Sequence, residues 1–543
     1  MSNFPRRKFI VFILIGLLSI PLIRYLYPYI QSLFNRKKTA GQLRGASYKV
    51  GHLLWKIPFK KASIQHRVNV LIIGSGISGL SAARTLLQAG ESDVAILELE
   101  PDAGGNARYG ENEAGRFPLG AHYLPIPSVH MKELISFLKE HNVIESFDAT
   151  GLPVYNEHYL CSAPEERLFI HGHWQNGLIP DFGVPDTDRA QIKSFHLHTE
   201  ELKNSKGKDG LYAFDIPLRR SSADERYRML DTITMKEYLL QHNYTSVFLH
   251  WYVDYSCKDD YGTSLEETSA WAGLHYFCSR RGKAANAEDH DVLTWPEGNG
   301  WLMNKLKDQV QATIKTNNLA YEVNKHGAEY TVTSLNVLTG EPEQWTCKQL
   351  IFACPQFVTS HIRTNIQALK NRPYKMFQYS TWMVGNISVT NGLAEKNGAD
   401  LSWDNVLYNS PSLGYIHSNQ QHVHRHQPEI NLTYYYLFDD KKTSRKQVLA
   451  KTHADLTDIM KTDLQYVYPQ LEKHLIRFDP FIWGHAMIKP VKGLIWGTER
   501  AAAGEAIHQS MYFAHTDLSG ISLFEEGFYQ GIDVAAQVLK DRE

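Results

Sequence analysis

The stretch VNVLIIGSGISGLSAARTLLQAG, residues 68–90, and VAILELE, residues 94–100, decide the reading of this chain. The run 68–73 is apolar and β-branched, as in a parallel strand buried on both faces. Gly74, Gly76 and Gly79 follow in the spacing GxGxxG. The next residues read as a helix, with Ala82, Ala83, Leu86 and Leu87 inward and Gly90 at its end. A second buried strand carries Glu98 near its end. Gly74 permits the tight turn, Gly76 lets backbone amides approach a pyrophosphate, and Gly79 lets the helix pack on the sheet. The helix start, with Ser78 in its first turn, offers free N–H groups and a positive dipole end to phosphate. Glu98 stands 24 residues after Gly74, where an acid accepts hydrogen bonds from ribose hydroxyls. Strand, glycine turn, helix, strand and acid together predict a dinucleotide site in an α/β fold.

The whole chain has 543 residues, room for two to four domains at about 150 residues each. Its 57 basic and 58 acidic residues leave a net charge of −1, which gives no reason to expect nucleic-acid binding. The five cysteines, Cys161, Cys257, Cys278, Cys347 and Cys354, form no CxxC pair. That argues against a zinc ribbon or a disulfide scaffold and for buried free thiols. His422, His424 and His426 alternate, but they follow a polar run and read as an exposed loop; His171 and His173 are weaker still, so no metal site is expected.

No acid precedes Glu91, and the 15-residue run FIVFILIGLLSIPLI lies between Lys8 and Arg24. As a helix it spans about 22 Å, short of a hydrocarbon core of about 30 Å. Residues 1–36 therefore read as a signal or anchor segment carrying an apolar helix, with membrane contact through it. Arg6, Arg7 and Phe9 resemble a twin-arginine export signal, which implies an inner-membrane protein facing the periplasm. The basic residues after the run favour a cytoplasmic face instead.

An acid, five residues and Gly-Gly (Glu98 to Gly104 and Gly105) resemble the signature of the flavin-containing amine oxidase superfamily, which includes phytoene desaturases and protoporphyrinogen oxidases. The usual arginine after the glycines is Asn106 here, with Arg108 two positions on. Gly120, Ala121, His122 and Tyr123 are similar to the family segment that passes the flavin. Pro296, Gly298 and Gly300 resemble its later turn, Leu319 its adenine-contacting strand, and Ala353 and Pro355 its Ala-x-Pro end. Asp517 and Gly527 to Gly531 resemble the closing element, with Asp517 toward the ribityl–phosphate region and the helix from Gly527 aimed at the flavin carbonyl.

The resemblance implies a bipartite Rossmann-like FAD-binding domain, residues 66–124, 294–356 and 499–543, and an α+β substrate domain, residues 125–293 and 357–498. It implies non-covalent FAD, because residues 512–539 hold no cysteine where covalent members use one. It implies hydride transfer from an organic small molecule, an amine or a C–H bond, with oxygen or a quinone open as electron acceptor. The family's aromatic pair around a substrate nitrogen maps to Phe528 on one side. On the other side the register holds Ala486 or Met487, with Trp483 and His485 displaced. The family's lysine falls near Trp382 and Met383, where this chain has none. A carbon-skeleton desaturase or oxidase, or a non-catalytic FAD protein, stays open beside amine oxidation. Trp271, His275 and Tyr276 at helical spacing read as a core face or a cavity wall, and residues 193–210 as an exposed loop.

Overall fold

The computed structural model describes residues 39–56, 61–390, 397–421 and 428–541. The expected N-terminal helix and its arginine pair, and His422, His424 and His426, lie outside them. Among the described residues no helix is long and apolar enough to cross a membrane.

Two eight-stranded sheets organise the chain from Gly41 onward. The nucleotide sheet begins with Ile64–Ile73, which pairs in parallel with Val94–Leu97 on one side and with Pro342–Phe352 on the other. Met511–Phe513 adds a parallel strand beside Leu350 to Phe352, although it lies near the other end of the chain from the first strand. An antiparallel ribbon, Asn318–His326 with Glu329–Asn336, feeds the strand Pro342–Phe352.

Both faces of this sheet are buried, which is why residues 70–73 are apolar without alternation. Val70 and Ile72 pack under the glycine-turn helix Ile77–Gln88, against Leu80, Ala83 and Leu86. Leu71 and Ile73 face the other way, against Phe352, Val332 and Trp345. The closing helix Phe524–Lys540 lies on the glycine-turn helix. A Cβ on Gly527 would stand 2.3 Å from the Ile77 side chain, and one on Gly531 2.2 Å from Ser81 Oγ. Glycine at these two turns is what lets the helices touch.

The substrate sheet runs through Leu475–Trp483, Thr381–Thr390, Glu429–Phe438, Tyr415–His417, Asp404–Leu407 and Glu166–Ile170. Its strands alternate. Trp382, Val384 and Tyr435 face a helical layer that includes Val247–Tyr261 and Ala270–Cys278. Met383, Ile387 and Tyr434 face the helix His453–Leu464. Trp271 and His275 are fully buried core residues, while Tyr276 is only partly covered.

One expectation fails over most of its length: residues 193–204 of the expected loop 193–210 are helical. Asp186–Asn204 is a 19-residue helix. Its polar composition hides a narrow stripe, Ile192, Phe195 and Thr199, that turns to the core at helical spacing.

Candidate functional site

A single cleft of about 400 Å³ runs from the glycine turn to the substrate sheet. Its outer end is built by the first βαβ unit. The Glu98 carboxylate accepts from Ser75 N at 2.8 Å, Ser75 Oγ at 2.6 Å and Glu100 N at 2.8 Å. A carboxylate has about four acceptor sites, so capacity for ribose hydroxyls remains. Glu100 is engaged elsewhere, by Ser47 and by Arg108 at 3.3 Å. Leu319 and Asn318 line the same end.

The turn between strand and helix is shaped for phosphate. Gly74 has φ +106°, and Gly105, with φ +55°, brings its backbone against Gly76. No side chain caps the helix at Gly76, and the buried Ser78 Oγ has no partner among the described residues. Free amides and an orphan hydroxyl at a helix N-terminus fit a pyrophosphate. Gly104 and Asn106 complete this wall; Asn106 donates to Ala486 O. Arg108 turns away and bonds Gly105 O and Glu100. Gly79 does not reach the cleft. Its Cβ would lie 2.0 Å from Gly74 O, so it serves helix packing.

The middle of the cleft is walled by Gly120, Ala121, His122 and Tyr123. The turn at Gly298 braces them: Asn299 N donates to Ala121 O and Asn299 Nδ2 to Tyr123 O. Tyr435 OH donates to Gly120 O at 2.9 Å. Burial pulls His122 down to about 4 and His485, which stacks on Phe357 at 3.9 Å, down to about 3. Both are neutral at physiological pH. Trp483 also lines this region and donates to Leu119 O.

Three expectations are corrected. Phe528 is not in the cleft; it is fully buried against Phe137, and Phe524, one turn earlier, lines the cleft in its place. Gly527 meets Ile77 rather than the cofactor space. Asp517 is spent on the protein: it accepts from Gln356 N and Tyr379 OH and pairs with His515 Nδ1 at 3.0 Å. Burial would raise its carboxyl, but His515 and these donors outweigh that and lower it. His515 and Thr516 take its place on the cleft wall.

The inner end belongs to residues that no motif announced. Asp259, Asp260, Arg280 and Glu525 line it, beside Trp382, Val384 and Tyr435. Tyr123 OH receives Arg280 at 3.1 Å and faces Asp260 at 3.4 Å; Arg280 pairs with Asp260 at 3.3 Å. Burial pushes Glu525 up to about 7. No lysine lines the cleft among the described residues. The doublet Asp259-Asp260 sits in the aromatic run 251–261, and two adjacent acids there were the available signal.

Sheet, turn and cleft define a dinucleotide-dependent protein with a substrate chamber roofed by a second sheet. A profile of the flavin containing amine oxidoreductase family matches residues 77–539, and the chain belongs to that family. It is an FAD-dependent oxidoreductase that holds its flavin non-covalently. Polyamine oxidase 7 of Oryza sativa subsp. japonica is 33% identical over 102 residues, which span 18% of this chain and 22% of the rice protein. Wild-type putrescine oxidase bound to putrescine superimposes with a TM-score of 0.63 at 14% identity, over 88% of this chain and 100% of that one. Cyclohexylamine oxidase from Brevibacterium oxydans IH-35A gives 0.62 at 14% identity, over 88% and 99%. At such identities the likeness is one of fold.

Proposed function

We propose that this protein oxidises an amine. The observation that carries the reading is the acidic inner end of the cleft, where Asp259, Asp260 and Glu525 face a single arginine, Arg280, already paired with Asp260. Such an end draws in an ammonium and rejects an anionic substrate. A polyene would leave these groups desolvated and unpaired. The names of the similar proteins, polyamine, putrescine and cyclohexylamine oxidases, support the same reading.

When bound, FAD supplies the acceptor for a hydride from the carbon beside the nitrogen. The protein does the rest. Phe524 on one side, and Ala486 with Met487 on the other, flank the reacting position as a half-aromatic cage. Trp382, Val384 and Tyr435 roof it and keep water out. Glu525, poised near neutrality, takes the proton of the entering ammonium at its carboxylate. The start of the closing helix, Leu523 to Glu525, forms part of the cleft wall. Anaerobic titration of the yellow protein tests this. Amines should bleach the flavin and yield aldehyde after hydrolysis of the imine. Bleaching by a polyene or porphyrinogen, and by no amine, overturns it. Reoxidation by oxygen or by a quinone then identifies the electron acceptor.

We also propose that residues 1–36 direct the protein to the inner membrane, facing the periplasm. Support comes from Arg6-Arg7-x-Phe9 before an apolar run. It comes too from a cofactor sheet that needs strands from residues 64 and 513 at once, so FAD loads only onto a nearly complete chain. A periplasm-dependent reporter fused after Glu543 tests this. Signal lost with Arg6→Lys plus Arg7→Lys supports the twin-arginine route; no signal at all places the domain on the cytoplasmic face.

A further inference from the structure

The outer end of the cleft is backed by a segment that carries no motif, residues 42–55. It precedes residues 77–539, over which the family profile matches. It first joins the substrate sheet: Gln42 N donates to Asp479 Oδ1 at 2.8 Å, and Arg44–Gly45 pairs in parallel with Phe481 and Ile482. It then crosses to the cofactor sheet. Ser47 donates twice to the Glu100 carboxylate, from its N at 2.7 Å and from its Oγ at 3.0 Å. The short helical turns Tyr48–Gly51 and His52–Trp55 follow, and Leu54 is buried in one cluster with Leu319, Tyr321 and Leu335.

Glu100 passes the Ser47 contact on in two directions. Its backbone N–H donates to Glu98, the acid of the ribose site, at 2.8 Å. Its carboxylate pairs with Arg108 at 3.3 Å, and Arg108 Nε donates to Gly105 O at 3.1 Å. The Arg108 stem lies across Gly104, where a Cβ would stand 2.8 Å from it. Gly104 and Gly105 wall the phosphate turn, with Gly105 against Gly76. The Glu100 and Arg108 side chains are only 15% and 12% exposed. A pair so shielded keeps its geometry when its remaining lone pairs are satisfied, and Ser47 satisfies them. Apolar contact does the same at the adenine side. Leu99 and Val358 pack against the Leu54 cluster, and with Leu319 they line the cleft.

We propose that residues 42–55 are a clasp for FAD, with Ser47 a positioning residue that acts through Glu100 and Arg108 on the loop Gly104–Gly105. None of residues 42–55 lines the cleft. The clasp works by fixing the loop before FAD arrives, which lowers the ordering cost of binding. Because the same segment is an edge strand of the substrate sheet, it also ties that sheet to the pyrophosphate wall.

The test measures FAD retention rather than turnover. FAD dissociation from the full-length holoprotein is followed by flavin fluorescence after dilution, and melts are recorded with and without excess FAD. Ser47→Ala should release FAD about five- to tenfold faster, the worth of one hydrogen bond to a charged acceptor. It should also shrink the stabilisation that FAD confers. Ser47→Thr, which keeps the hydroxyl, should release FAD at close to the unaltered rate. Arg108→Met should speed release too, and adding Ser47→Ala to it should change the rate by less than about twofold, because both act on one loop. By reciprocity, FAD should slow amide hydrogen exchange over residues 47–54 of the unaltered protein. Unchanged exchange there overturns the proposal, whether or not the variants fold. So does unchanged release from a folded Ser47→Ala, or release from Ser47→Thr as fast as from Ser47→Ala. A melting temperature lowered equally with and without FAD, or additive effects of the two substitutions, overturns it as well.

Discussion

The two ends of the cleft are built by opposite rules. At the outer end the acid is held by near neighbours: Glu98 is held by Ser75 and Glu100 within the same βαβ unit. Backbone geometry there is set by glycines at fixed spacing. At the inner end carboxylates arrive from residues 259, 260 and 525, each pushed upward by burial. The first end is preorganised for one ligand, with the helix-start amides and the Ser78 hydroxyl left open to it. The second stores electrostatic cost that a cation can relieve. The difference teaches where this protein's specificity sits: cofactor recognition is local and stable, substrate recognition non-local and strained.

The largest expected effect breaks the symmetry between two aromatic residues one helical turn apart. Phe528→Ala should cost about 3–5 kcal/mol of stability, as deletion of a fully buried ring does. Phe524→Leu should leave the melting temperature nearly unchanged and lower kcat/KM for an amine substrate. A thermal melt and steady-state kinetics on both variants decide it; the reverse pattern would return Phe528 to the site.

Next, Glu98→Ala should weaken FAD binding by about 1–3 kcal/mol, because ribose hydroxyls lose a charged acceptor. Equilibrium dialysis or flavin fluorescence measures it. Unchanged affinity would mean that the outer end does not recognise ribose through this acid.

The smallest effect is one of pH, and it sharpens the contrast. Burial holds the proton of Glu526 up to about 8, against about 4.5 for an ordinary glutamate. The unfolded chain releases this proton first, so stability is greatest at low pH and falls as pH rises from about 4.5 through about 8. Between about pH 6 and pH 8 this group alone should cost about 2 kcal/mol. Glu526→Gln should flatten that part of the profile in chemical denaturation.

Much of the outer end was legible without coordinates. The apolar run 68–73, the glycines and Glu98 act through backbone conformation and contacts a few residues away, and such constraints write themselves at fixed spacings. The later segments were legible only in order: Asp517 and Gly527 are where the pattern puts them, but the Asp517 carboxylate serves His515 and Tyr379, and Gly527 leaves room for Ile77. Register along the closing helix was the harder question. Phe524 and Phe528 lie on one helical face, and which of them meets the cleft depends on how Gly527 and Gly531 seat that helix on the glycine-turn helix.

By itself, then, the sequence determined the nucleotide fold and placed Glu98 at the end of its second strand, because those follow from local geometry, and its resemblance to a flavin family implied the cofactor. Only the tertiary structure decided the chamber. Asp259 with Asp260, Arg280 and Glu525 come from three separate segments, and no spacing relates those segments. Packing, not pattern, brings these charges to one end of the cleft.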